Sequence, residues 1–391
     1  MRVAIFGASG FVGSTFVEQL LFKKSYEEVR VFIHSSGNAW RLARRELNLR
    51  LVDVLSRTEV RKALEGCTHV VNCTRGPDEV MLMGLRNLLQ ESRLQGIQRF
   101  IHLSSVAVYG DPPSPESKYE EAKPNPAPQS YGWVKAQQDL MVSQAHQRGL
   151  KSIILCPPNI SGPYSPFVLG VLNDMRQGTL ALLDEGKMVI NLVDVENLCH
   201  AIELALTCEE ADGRRIFVTD AEPITWKDFT EALMPIADRK DPLPSFPREE
   251  FLKLFRPEQR KDHISFLRTI KHLVSSDVRA ALRKDPFLEK VDHSIRSLIG
   301  KLPVRVEDRL RYAIEGPISV RKVADSNPYS SRYNVQQLRG VYHTCERAKK
   351  SLGYEPRYTF TESMTRFCAW YQAMYGVGTE SWKLTRELET I

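Results

Sequence analysis

Val3-Ala-Ile-Phe-Gly-Ala-Ser-Gly-Phe-Val-Gly13 is the stretch whose reading decides the fold. Four strand-forming apolar residues run into Gly7, Gly10 and Gly13, and the amphipathic stretch STFVEQLLF (Ser14–Phe22) follows. A strand, a glycine-rich turn and a helix in that order form the context a dinucleotide fingerprint needs. The glycines allow a tight turn and let the backbone approach a pyrophosphate, while the helix start offers unpaired N–H groups and the positive end of its dipole. The spacing is GxxGxxG rather than GxGxxG, and a glycine turn with a purely structural role is the competing reading. Its place between strand and helix favours the nucleotide.

Working outward, short β-rich runs alternate with amphipathic ones, the pattern of a parallel sheet covered by helices. Strands are expected at 3–6, 29–33, 49–52, 69–72, 99–103 and 152–155, and helices at 14–22, 58–65, 82–94 and 131–148. This is an α/β, Rossmann-type doubly wound fold, with ligand chemistry at the carboxyl ends of the strands. Residues 1–165 read as the dinucleotide-binding domain, to which 189–212 returns with a strand at 189–193 and a helix at 195–206. Residues 166–188 and 213–391 read as a smaller substrate lobe, with a strand at 216–218, a helix at 226–233 and a helical, proline-punctuated insertion at 236–322.

Composition bounds the function classes. The chain has 391 residues, 42% hydrophobic and 26% charged, which fits a soluble globular protein with room for a large core. No apolar run approaches the roughly 20 residues of a membrane-spanning helix. The N-terminus runs into a strand without a signal-peptide pattern, so a cytoplasmic location is expected. Seven cysteines (67, 73, 156, 199, 208, 345, 368) show no CxxC pair, which fits reduced thiols and argues against a metal site. The net charge is +6, and residues 239–322 alone carry 20 Lys/Arg against 12 Asp/Glu. No nucleic-acid-binding motif accompanies that segment, so nucleic acid is not an expected partner. Within it, 248–275 interleaves apolar and basic residues at helical spacing. A helical subdomain with solvated charged faces explains that pattern, and a lid or peripheral membrane contact is the sharper alternative.

Tyr131-Gly-Trp-Val-Lys135 puts a phenol and an ammonium on one helix face. A cation beside a phenol favours the tyrosinate, which makes Tyr131 a candidate proton donor and acceptor. Tyr–Lys pairs at this spacing also occur on solvated helix faces. Ser104-Ser105, at a strand end and with Ser105 lying 26 residues before Tyr131, adds a hydroxyl that could hydrogen-bond a reacting oxygen.

Together these residues resemble the extended short-chain dehydrogenases/reductases, the NAD-dependent epimerase/dehydratase family. The matching segments are GASGFVG (7–13), LVDVLS (51–56), HLSSVAVYG (102–110), YGWVK (131–135), PPNISGP (157–163), NLVDVENL (191–198) and AKKSLGYEP (348–356). They fall within 1–235 and 340–375. The resemblance implies that Tyr131 moves the proton, that Lys135 holds the cofactor ribose and tunes Tyr131, and that Ser105 orients the substrate oxygen. It implies Asp53 at the adenine amine, Pro157 beside the nicotinamide carboxamide, and Asn159 with Val106 against substrate. Ser9, Phe11 and Val12 in the fingerprint, His34 and Ser35 after the second strand, and Val54, Cys73 and Thr74 at neighbouring strand ends complete the expected cofactor contacts.

Three departures shape the functional reading. Val106 and Ala107 stand where nucleotide-sugar dehydratases and decarboxylases carry an acid, so simple hydride chemistry is expected. The second strand ends in Ile33-His-Ser-Ser36, without the carboxylate that grips the ribose of NAD, and Arg41, Arg44 and Arg45 follow. NADP is therefore favoured over NAD, although a solvated arginine face explains the same residues. Ile190 stands where UDP-galactose 4-epimerase-like members place a diphosphate-binding arginine, while VDVEN (193–197) is similar to a segment of 3β-hydroxysteroid dehydrogenase relatives. The expectation is an NAD(P)-dependent epimerase or ketoreductase of a nucleotide sugar. A dehydrogenase for a sterol-, terpenoid- or polyketide-like alcohol comes second, and a non-catalytic dinucleotide-binding scaffold third. Family members are often homodimers, and the same is expected here.

Overall fold

A computed structural model describes residues 1–21, 26–36, 39–43, 46–208, 213–239, 241–254, 329 and 331–376. The chain divides into two units, Met1–Glu250 with Tyr329–Ile391, and Phe251–Pro328. Most of the second unit, and with it most of the basic stretch 248–275, lies outside the described residues, as do Arg44 and Arg45.

The first unit is built on seven parallel strands: β1 (Arg2–Phe6), β2 (Glu28–Ile33), β3 (Asn48–Leu51), β4 (His69–Asn72), β5 (Arg99–Leu103), β6 (Ser152–Cys156) and, later in the chain, an edge strand at Arg215–Phe217. Across the sheet the order runs edge strand, β6, β5, β4, β1, β2, β3, so the winding reverses between β1 and β4. A doubly wound sheet opens its ligand crevice at that reversal.

Alternation along β1 shows why both faces are covered. Val3 and Ile5 pack with α1 (Phe11–Leu21) and α6 (Val195–Thr207) on one face, while Ala4 and Phe6 pack on the other with α2 (Arg57–Leu64), α3 (Leu85–Leu94) and α4 (Tyr131–Gln147). Helix α1 starts at Phe11, inside the glycine motif and earlier than the apolar spacing predicts. The expected helix at 82–94 begins as a π-helical turn, Val80–Gly84, before α3.

A third core holds the smaller lobe. It joins α5 (Pro166–Gln177), α7 (Trp226–Leu233), α9 (Arg332–Gln336) and α11 (Phe360–Tyr375) through Val168, Phe229, Tyr333 and Phe367, while α10 (Glu346–Leu352) packs back on the sheet. Short ladders complete the lobe: β7 (Asn159–Ser161) with β10 (Leu192–Asp194), β9 (Val189–Ile190) with β12 (Ile224–Thr225), and β8 (Leu182–Leu183) with β13 (Ser245–Phe246). The expected single strand at 189–193 is thus two strands with different partners.

Two expectations change. The edge strand Arg215–Phe217, which is β11, was expected in the substrate lobe, but it pairs with β6 and finishes the main sheet. The start of the expected helical insertion contributes β13 before α8 (Arg248–Leu254).

A buried polar knot ties the lobe to the sheet. Asp194 caps α6, accepting from Glu196 N at 2.8 Å and from Ser363 Oγ at 2.5 Å, and its own N–H donates to Asp220 Oδ1 at 2.8 Å. Asn197 Nδ2 donates to the same Asp220 oxygen at 2.7 Å. Burial outweighs these donors and raises the Asp220 carboxyl from 3.8 to about 7. A carboxyl that holds its proton more tightly folded than unfolded contributes stability at low pH and loses it as pH rises towards the folded value. The melting-temperature advantage of wild type over Asp220→Asn should therefore shrink between about pH 4 and pH 7. An advantage that grows over that range would contradict the assignment.

Candidate active site

At the carboxyl end of β1 the chain turns on Gly7, whose φ is +73°. A Cβ there would lie 2.6 Å from the Cys73 carbonyl carbon and 2.7 Å from the Thr74 nitrogen, so the turn rests directly on the chain leaving β4. Gly10 N donates to Gly7 O at 3.0 Å, and Ser14 N to Gly10 O at 2.8 Å, which passes the turn into α1. Gly13 lies so close to the Gly7 carbonyl and Ala8 that no side chain fits. Ser9, Phe11 and Val12 are half-buried around the first turn of α1, whose N–H groups lack helical partners by geometry.

This cradle fits a dinucleotide pyrophosphate: backbone can approach it where no Cβ stands, and the helix dipole favours its charge. The buried Thr74 Oγ1 beside the turn makes no hydrogen bond within the described residues. Cys73, whose thiol burial pushes up to about 12, stays neutral there. Val54 is buried, and Asp53 Oδ1 accepts from Leu55 N at 2.9 Å, so part of the carboxylate expected at the adenine shapes its own loop.

Arg41, which follows strand two, is less free than the sequence suggests. His34 is exposed and Ser35 half-buried, but Arg41 bonds Glu18 at 2.5 Å and Thr15 at 3.2 Å and lies 4.1 Å from the Tyr164 ring centre. Its charge is engaged by α1.

Beyond β5, Ser105 takes an extended backbone and accepts from Ala107 N at 3.2 Å, capping the 3₁₀ turn Val106–Tyr109. Accepting leaves the hydroxyl proton available to a substrate oxygen. Val106 N donates to Pro157 O at 3.2 Å, which joins the serine turn to the chain after β6. Asn159 is half-buried in β7. Gly132 packs against the Ala107 carbonyl, so the start of α4 abuts that same turn.

Tyr131 opens α4, capped by Ser130, and keeps 42% of its surface exposed. Lys135 is 3% exposed, and its Nζ donates to Leu103 O at 2.8 Å, 5.9 Å from the Tyr131 ring centre. Desolvation pulls its ammonium down to about 8. The phenol moves opposite to the expected tyrosinate. Crowding around it raises Tyr131 above its ordinary value, and the cation that opposes the rise is Arg75, whose guanidinium lies 5.3 Å from the ring centre. The resting residue is therefore a proton donor.

Behind Lys135, one turn along α4, buried Asp139 bonds Arg215 Nε of β11 at 2.6 Å. This ion pair and Arg75 were missed in the sequence. Arg75 directly follows the expected contacts Cys73 and Thr74, and that position was its only signal. No group of three or more His, Cys, Asp or Glu suited to a metal occurs among the described residues, and none of their helices is long and apolar enough to cross a membrane. A surface hollow lined by Met1, His69, Gln98 and Lys151 lies at the amino ends of the strands, away from these groups.

The NAD dependent epimerase/dehydratase family model matches residues 3–218, and the chain belongs to that family. It is 25% identical over 247 residues (60% of this chain, 72% of the other) to 4-hydroxy-2-methyl-3-oxo-4-farnesyl-3,4-dihydroquinoline-1-oxide ketoreductase of Stigmatella aurantiaca. It is 26% identical over 251 residues (60% and 66%) to the decarboxylating sterol-4-alpha-carboxylate 3-dehydrogenase of Homo sapiens. The solved UDP-glucose 4-epimerase of Thermotoga maritima shares the fold, with a TM-score of 0.63 at 17% identity, covering 96% of this chain and 99% of that one.

Gly7→Ala should lower the melting temperature and weaken NAD(P) binding by about tenfold or more, because it strains the backbone and drives a methyl into the β4 exit. Calorimetric titration beside a melt checks both, and an unchanged melt would contradict the close approach.

Proposed function

We propose that this chain oxidises or reduces a secondary alcohol or ketone with NAD(P), using Tyr131 as the proton donor and acceptor. The observation that carries the reading is the assembly at the α4 start: the phenol, the buried ammonium of Lys135 and the Ser105 turn, next to a glycine cradle that excludes side chains. The nicotinamide, when bound, supplies or accepts the hydride. Ser105 then donates to the reacting oxygen and fixes its orientation, and Tyr131 passes a proton to that oxygen or takes one from it. Lys135, held by Leu103 O, places positive charge beneath the phenol and lies where the cofactor ribose hydroxyls are expected.

For the substrate we favour an alcohol on an apolar skeleton of the sterol, terpenoid or polyketide class. Ile190, at the position where UDP-galactose 4-epimerase-like members place a diphosphate-binding arginine, is 3% exposed and packs in the lobe core. A ketoreductase of a farnesyl-bearing quinoline oxide and a sterol dehydrogenase among the relatives support the same class. A nucleotide sugar, the first expectation from the family resemblance, remains the second reading because of the family match. For the cofactor we favour NADP. The missing carboxylate at His34–Ser36 supports this, although Arg41 is engaged by Glu18.

Tyr131→Phe should lower kcat by about 10²- to 10⁴-fold while leaving cofactor affinity within about twofold, since the lost group acts in proton transfer. Undiminished turnover of a true substrate would remove the assignment. In thermal shifts, NADPH should stabilise the chain more than NADH at equal concentration, whereas UDP, GDP and dTDP should not stabilise it. Stabilisation by NADH alone would reverse the cofactor preference, and stabilisation by a nucleoside diphosphate would restore the sugar nucleotide.

A further inference from the structure

We infer that Arg75 is a specificity residue that binds an oxyanion, a carboxylate or a phosphate, carried by the substrate beside its reacting carbon. This deepens the proposed function and rests on Tyr131 being the proton-transfer group.

The loop after β4 is anchored where it leaves the strand, since Thr74 N donates to Asn72 Oδ1 at 3.1 Å and the Gly7 turn packs on Cys73 and Thr74. The next side chain, Arg75, is exposed, and its guanidinium lies 5.3 Å from the Tyr131 ring centre. No carboxylate among the described residues forms an ion pair with it, unlike Arg41 with Glu18 and Arg215 with Asp139. Its field reaches both groups, opposing the rise of the Tyr131 phenol and adding to the fall that burial causes at Lys135. Two cations therefore flank one phenol, and the nearest buried carboxylate, Asp139, is already neutralised by Arg215.

A planar guanidinium with its donors unpaired matches carboxylate or phosphate geometry, and pairing them in a partly dry cleft is stronger than in water. The bound oxygen sits about 2.9 Å from a guanidinium nitrogen. With the guanidinium 5.3 Å from the Tyr131 ring centre, an anion that it holds lies on the same side of the site as the phenol.

The test uses the full chain loaded with NADP and three matched alcohols: 2-hydroxycyclohexanecarboxylate, its methyl ester, and 2-hydroxycyclohexyl phosphate, each titrated by calorimetry. Wild type should bind at least one of the anions about 10- to 100-fold more tightly than the ester, as loss of one charge-assisted pair implies. Whichever of the two binds more tightly identifies the oxyanion. Arg75→Gln should bring that preference to within about twofold, and Arg75→Lys should restore part of it, because a point charge replaces a fork. Arg75→Gln should also melt as wild type does, since the side chain is exposed.

Equal binding of ester and anions, a preference that survives Arg75→Gln, or binding of none of the three would each overturn the inference. So would a loss confined to NADP affinity, which would make Arg75 a cofactor contact. Tyr131→Phe separates this inference from the reading beneath it. If that variant binds the anion normally but does not turn over, the catalytic reading stands whatever Arg75 does.

Discussion

The rest of the site depends on how closely the β1–α1 turn approaches the chain leaving β4. Gly7 adopts a left-handed backbone and leaves no room for a Cβ above Cys73 and Thr74, and Gly13 does the same against the turn itself. These contacts fix the crevice at the reversal of winding between β1 and β4. The neighbouring strand ends follow in order: β4 presents Thr74 and Arg75, β5 presents Ser105, and β6 presents Pro157. Helix α4, pressed onto the Ser105 turn through Gly132, brings Tyr131 to the same edge. A larger residue at Gly7 would displace several of these groups together, because they share one sheet.

Electrostatics then separates the roles of residues that look alike in the sequence. Lys135 is charged and buried, and burying a lone ammonium is costly; one short bond to Leu103 O and the nearby Asp139 offset part of that cost. Asp139 is itself balanced by Arg215 from the edge strand, so β11 completes both the sheet and the support beneath the lysine. Arg41, Arg75 and Arg215 differ only in what faces them: Glu18, a phenol and Asp139. Among the described residues Arg75 alone of the three has no carboxylate partner.

Much of this was legible in the sequence. Short β-rich runs located all seven main strands to within a residue or so, although the one at 216–218 was assigned to the substrate lobe, and the glycine motif located the turn at the β1–β4 reversal. The order and spacing of Ser105, Tyr131 and Lys135 pointed to one site, and the Ser105 turn does abut the start of α4. Residues whose role depends on distant partners were not. Arg215–Phe217 is too short a strand to declare which sheet it joins, and its pairing with β6 is a tertiary fact. The phenol departs from the tyrosinate expectation because its burial, which the spacing of Tyr131 and Lys135 does not reveal, outweighs the cations beside it. Lys135, 5.9 Å from the ring centre, is tied to Leu103 O, and the second cation near Tyr131 comes from a loop 56 residues earlier. Arg41 looked like a phosphate ligand because Glu18 lies 23 residues before it.

The central claim is that the Gly7 crevice and Tyr131 serve one hydride transfer at a secondary carbon. Reduced cofactor carrying deuterium at the nicotinamide C4, incubated with the full chain and a panel of sterol- and terpenoid-like ketones, tests it most directly by mass spectrometry of the products. The account predicts deuterium on the carbinol carbon of at least one product, with transfer strongly reduced in Tyr131→Phe. Deuterium that stays on the cofactor across the panel, or transfer that Tyr131→Phe leaves intact, would contradict it.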